Sequence, residues 1–435
     1  MQIAFRLLII LLAAIPALAI LHDGLVRHAL TAAAAVILVF AAMGQEKEVS
    51  TAAQILKRFS LTMAFPALWM VLQLAPLPFP SLVNPIWSTA SAALGESLAA
   101  RVSINPGATL QSLIAYLAML SLLISTVIVA RDRHRAETLF YVLTTVTTFM
   151  SAEWLIGQLD VFAGLIPPTG STAASAFTAM AALSALANGA AIVMAIERHL
   201  SRRDPENASW IPLLTRLALG AFGLAMALTA LKSLAAGGVM ASIALGFVAI
   251  IVVAVVRRLE IRSWPAIILF ASIATIAVAI SLLRLQDPSA PTIAGFATFA
   301  TAESLSVAQR AMADTPWLGN GVGAFRSLEP IYRDFGAAPV PELPSTALAV
   351  AIEWGLPALA ILVLIAIQIF VFMFRAAIRR GRDSQFASAA AAGVLVLLCM
   401  AFFDQSLMNA TVQIVAAVMT GLGIAQSAGR TSGPG

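Results

Sequence analysis

Apolar runs of about twenty residues recur from the N-terminus to residue 427, separated by short polar stretches rich in arginine. A bilayer core needs ~20 apolar residues per helical span. The runs predict about twelve spans, centred near Leu12, Val36, Met70, Leu120, Thr145, Leu183, Ala225, Phe247, Ile273, Ile361, Leu397 and Val418. One long interruption, Gln286 to Leu343, separates the ninth span from the tenth. The pattern therefore predicts an all-α polytopic membrane protein: transmembrane spans 1–9 in residues 1–285, a large outer loop at 286–343, spans 10–12 in residues 344–427, and a flexible tail at 428–435. A second polar segment, Leu77 to Ala108, follows Pro76. Its middle, Val83 to Leu98, predicts a helix lying in the membrane interface with Trp87 as an anchor. The Ala- and Gly-rich spans Ala173 to Ala195 and Gly237 to Val248 are suited to close backbone packing.

Composition narrows the class. The chain is 60% hydrophobic and 11% charged, with a mean hydropathy of +0.93, whereas soluble domains carry about 25% charged residues. The net charge of +5 does not indicate nucleic acid, because the basic residues sit in short connections where they set topology rather than on one basic face. If the N-terminus is inside, the inner segments hold 19 Lys and Arg and the outer segments 7. That bias predicts both termini inside and the long loop outside. Arg6, the apolar run after it and Ala17-Leu18-Ala19 read as a retained first span rather than a cleaved leader. The single cysteine, Cys399, excludes an intramolecular disulfide.

Motifs of soluble enzymes are missing: there is no P-loop, no C-x-x-C and no H-E-x-x-H. No cofactor and no metal are expected. Candidate chemistry concentrates in and after the long loop. Gly319, Gly321 and Gly323, in PWLGNGVGAF, allow close backbone approach and offer N–H donors to an anion. Arg310, Arg326 and Arg333 around them suit a phosphate or pyrophosphate. Glu353 follows within an apolar run, where a carboxylate needs a cavity or a partner, and the outer arginines are its expected partners. Glu303 is a second candidate proton acceptor. Glu153, in FMSAEWLIGQ, is a second such carboxylate in an earlier span, and Lys232 and Asp404, at outer span ends, border the same expected cavity.

The chain resembles the O-antigen ligase and polymerase superfamily in its layout and in three places: LAPLPFPSLVNP (Leu74 to Pro85) followed by SINPGATLQSLIAYLAML, the loop ADTPWLGNGVGAF with Pro330 and Tyr332, and AIEWGLPAL around Glu353. The Gly157-Gln158 pair also fits the end of a middle span. The resemblance implies a multi-spanning bacterial inner-membrane protein with a periplasmic long loop and cytoplasmic termini. It also implies transfer of glycan from an undecaprenyl pyrophosphate carrier, without nucleotide sugar or metal. Partners would be the lipid-linked glycan, membrane lipid and polysaccharide-assembly proteins. Arg310, Glu303 and Glu353 would be catalytic, and Arg326, Arg333, Lys232, Tyr332 and the loop glycines would bind substrate. The family's His-Asn pair ahead of the Glu-x-Gly reads here as Pro344 and Ser345, and its S-R-G-G reads as KSLAAGGV. The missing histidine favours a polymerase over a ligase. A non-catalytic member that binds lipid-linked glycan is the alternative reading, and a transporter is the third.

Overall fold

A computed structural model describes residues 1–20, 24–158, 171–200, 210–234, 237–259, 293–297, 301–337, 339–340, 343–379 and 384–428. Among these residues every regular element is helical, and the one β contact is an isolated bridge between Pro76 and Arg101. In chain order the helices are α1 (Gln2–Ala13), α2 (Ile15–Ile20), α3 (Gly24–Ala42), α4 (Glu46–Lys57), α5 (Ser60–Leu74), α6 (Ile86–Leu94), α7 (Pro106–Val129), α8 (Arg133–Gly157), α9 (Ser171–Leu200), α10 (Ile211–Leu234) and α11 (Gly237–Arg258). After a short 3₁₀ turn, Ile293–Phe296, come α12 (Ala302–Ala313), α13 (Phe325–Tyr332), α14 (Thr346–Glu353), α15 (Leu356–Arg379), α16 (Ser384–Phe403) and α17 (Ala410–Ser427).

Eight of the described helices are long and apolar enough to cross a membrane, or nine if a bent pair counts as one span. They match the expected spans near Leu120, Thr145, Leu183, Ala225, Phe247, Ile361, Leu397 and Val418. The other described runs, at the N-terminal end, form shorter or bent apolar helices. Around Leu12 the helix stops at Ala13, because the Pro16 ring cannot follow a continuous helical turn. Around Met70, α5 has 15 residues and ends ahead of Pro76. The run near Val36 belongs to the bent pair, His28–Ala42 with Glu46–Lys57, which turns by 117°. The expected span near Ile273 and the tail from residue 429 lie outside the described residues.

Small side chains set the packing. α9, α16 and α17 are Ala-rich and mostly buried, and they form the centre of the bundle with α7, α8 and α11. In hydrocarbon, close backbone approach and polar contacts hold helices together. Here Asn188 of α9 donates to Thr148 of α8 at 2.9 Å, and the Thr148 and Ser184 hydroxyls lie 2.9 Å apart. α10 and α15 sit at the periphery, with Phe222 and Leu364 exposed. At the end of the bundle away from the long loop, Arg198 pairs with Glu137 at 2.5 Å and Arg257 with Glu197 at 3.1 Å. At the opposite end, the described part of the long loop and α14 together build a small second core from Val307, Ala311, Phe325, Leu328, Val340 and Ile352.

Candidate functional site

The glycine loop runs from the end of α12 to the start of α13. Pro316 opens a turn that closes with the Gly319 amide donating to Pro316 O at 2.9 Å. The chain then passes between two other backbones. On one side the amides of Asn320 and Gly321 donate to Ile352 O and Glu353 O, at 3.2 and 3.0 Å. On the other, Ile104 donates to Asn320 O at 2.9 Å. This passage explains the glycines. Gly321 has φ 105°, which L-residues rarely adopt, and a Cβ there would lie 2.3 Å from Ser103 Oγ. A Cβ on Gly319 would lie 2.3 Å from Glu353 O. The glycines serve a seam between backbones and do not face a cavity as expected.

Glu353 fills the anion position that the sequence assigns to a phosphate. It is 4% exposed. Its Oε2 accepts from the Gly323 amide at 2.8 Å and its Oε1 from the Phe325 amide at 3.1 Å. Those amides lead into the N-terminus of α13, where unsatisfied N–H groups and the helix dipole favour a negative charge. Glu353 also precedes the long apolar helix rather than lying within it: it ends the eight-residue α14, Gly355 turns the chain at φ 89°, and α15 starts at Leu356. The expected pairing of Glu353 with an outer arginine is thus corrected. Backbone amides satisfy both of its oxygens.

Three amide side chains bind the seam together, and the sequence reading did not single them out. Gln73, fully buried near the end of α5, donates to Leu318 O at 2.7 Å and to Glu353 O at 3.0 Å, and accepts from the Val322 amide at 3.2 Å. Asn84 donates to Asn320 Oδ1 at 3.0 Å, and Asn320 donates to Ile352 O at 3.1 Å. Thr109 donates to Val322 O at 3.0 Å. One signal was present: Gln73 is the one amide in the apolar run SLTMAFPALWMVLQL, where an unpaired amide is costly.

The remaining candidates do not gather around Glu353. Arg310 makes two hydrogen bonds to the exposed Asp334, at 2.6 and 3.1 Å. That contact holds the Asp334 carboxyl below the usual aspartate range and raises Arg310. Arg333 pairs with Glu329 at 3.4 Å, one turn back along α13, and Glu329 also accepts from the Val340 amide. Tyr332 is partly buried, and burial, with Asp314 adding to it, pushes its hydroxyl up. Arg326 is exposed at the start of α13 and makes no ion pair with the described residues. Lys232 is exposed in the last turn of α10. Glu303 is exposed in the first turn of α12. Glu153 lies in α8 with Oε2 buried and unpartnered, and Asp404, after α16, is buried and accepts from the Ser406 amide at 2.9 Å.

Among the described residues no three His, Cys, Asp or Glu side chains come together in a way that could hold a metal ion. Neither the protein-family models nor the curated proteins contain a match to this chain. Fold and site together define a helical membrane protein whose glycine loop is sealed over its own carboxylate.

Proposed function

We propose that the protein is an inner-membrane polysaccharide polymerase or ligase, taking glycan from an undecaprenyl pyrophosphate carrier on the side covered by the glycine loop. One observation carries the reading. The three stretches that resemble the O-antigen ligase and polymerase superfamily are distant in sequence and meet at one seam: Asn84 and Ser103 from the first, Gly319 to Gly323 from the second, and Ile352 to Gly355 from the third. Segments that pack as one unit are what a family-like scaffold requires.

In this reading an acceptor hydroxyl displaces undecaprenyl pyrophosphate from the anomeric carbon. Fixed cations stabilise the leaving pyrophosphate. Arg326 and Lys232 are exposed to supply that charge, and Glu303 is exposed to take the acceptor proton. Glu353 acts at a distance by holding the loop. The positive-inside bias supports cytoplasmic termini and a periplasmic loop in a bacterial inner membrane.

A second reading, a non-catalytic protein that binds lipid-linked glycan or an assembly partner, is favoured by the commitment of Glu353 to two backbone amides. Deleting the gene and measuring polymer length tests the pathway, with loss of long chains expected and an unchanged length profile contradicting it. The purified protein given lipid-linked repeats then separates the readings. Elongation or transfer in vitro supports the enzyme, and binding without turnover supports the non-catalytic protein.

A further inference from the structure

Tryptophans gather around the seam, and one of them takes no part in it. Trp69, near the end of α5, donates its indole N–H to Trp354 O at 3.0 Å, and Trp87 of α6 donates to Ser103 O at 3.2 Å. Trp317 stands in the turn that opens the glycine loop and is 81% exposed, although tryptophan is well buried on average. Its indole N–H donates to none of the described residues. Packing within the chain therefore gives no reason for a tryptophan at this position.

The backbone fixes where that ring stands. A Cβ on Gly355 would strike Trp317 O, so Trp317 lies against the residue that precedes α15. The next residue, Leu318, accepts from Gln73 near the end of α5 at 2.7 Å. Trp317 thus sits where two apolar helices end. Each turns a stripe of large side chains outward: Leu68 and Leu72 on α5, Leu356 and Leu364 on α15. Residues spaced by four and eight share one face of a helix. α15 is long and apolar enough to cross a membrane, so its outward stripe lies against hydrocarbon. Leu356 is the first residue of that helix, and Trp317 marks the level at which the hydrocarbon-facing surface stops. Indole has an apolar body and a polar tip, and tryptophan is enriched at this level, where one end is dry and the other wet.

We propose that Trp317 is an interfacial anchor: its ring lies among the glycerol and phosphate groups of the leaflet that meets the glycine loop, and its indole N–H donates to a lipid oxygen. The occupant is the bilayer, because the exposed ring continues the outward faces of α5 and α15. The anchor holds the sealed loop at headgroup level. It does not depend on glycan transfer.

The test uses the full chain in nanodiscs, with the emission of Trp317 read as the difference between wild type and Trp317→Phe. Lipids brominated near the glycerol end of the acyl chains should quench this emission several-fold more than iodide in the water phase does, and a soluble oligosaccharide should leave it unchanged. Quenching by iodide that equals or exceeds quenching by the brominated lipid overturns the anchor and puts the ring in water. An emission that shifts when the oligosaccharide is added overturns it in favour of a ring that stacks on sugar. If Trp317→Phe fails to fold, a benzophenone amino acid placed at position 317 decides by mass spectrometry. Phospholipid adducts at that position support the anchor, and their absence after irradiation overturns it.

Discussion

The Glu353 carboxylate accepts the Gly323 amide at 2.8 Å, across 30 residues of sequence, and so ties the glycine loop to the break between α14 and α15. The Phe325 amide takes the other oxygen. A buried N–H left without its acceptor costs about 1–3 kcal/mol. Glu353→Ala orphans two of them and should lower the thermal midpoint of the purified protein. Glu353→Gln keeps one acceptor and should cost less. Equal midpoints for wild type and Glu353→Ala would show that the carboxylate does not hold the loop.

Two glycines with positive φ give an internal comparison. Gly321 has Ser103 where a Cβ would stand, whereas at Gly336, with φ 83°, nothing lies within 4 Å. Gly336→Ala should therefore cost only the left-handed backbone penalty, about 1–2 kcal/mol. Gly321→Ala adds a steric clash and should abolish the folded loop, read as rapid proteolysis within residues 313–343. Similar behaviour of the two variants would remove the seam as the reason for the glycines.

Gln73 joins three segments through its amide. Gln73→Leu keeps the volume but strands Leu318 O and the Val322 amide. The expected result is unchanged helix content by circular dichroism with faster proteolytic cleavage near residue 318. Unchanged cleavage would mean that Asn84 and Asn320 hold the seam without it.

Much of the fold was legible because hydrophobic periodicity reports helices directly. The interface helix expected at Val83 to Leu98 is α6, Ile86–Leu94, and none of its residues is buried. Near Pro16 the apolar stretch of spanning length forms two consecutive helices, Gln2–Ala13 and Ile15–Ile20, a division that a run count does not resolve. The site was less legible for a different reason. Sequence shows that Gly319, Gly321 and Gly323 permit close approach, but not what approaches. A phosphate and the backbone of residues 352–354 make the same demand on a glycine. Glu353 was identified as a carboxylate in need of a partner, and its partners are main-chain amides, which no residue type announces.

Topology is testable without substrate. The distribution of 19 inner against 7 outer Lys and Arg predicts that reporters fused after Arg333 and after Arg379 lie on opposite sides of the membrane. The Arg333 fusion should be active only with a periplasmic reporter. The same reporter active at both positions would contradict the assignment of α15 as a span.

Hydrogen exchange at the Gly323 and Phe325 amides tests the central claim that the loop binds its own carboxylate. In the purified protein without substrate both amides should exchange slowly, and adding a pyrophosphate-bearing lipid should leave them unchanged. Glu353→Ala should make both fast. Fast exchange in the wild type that slows when the lipid is added would contradict the claim and return the glycine loop to the role of a phosphate cradle.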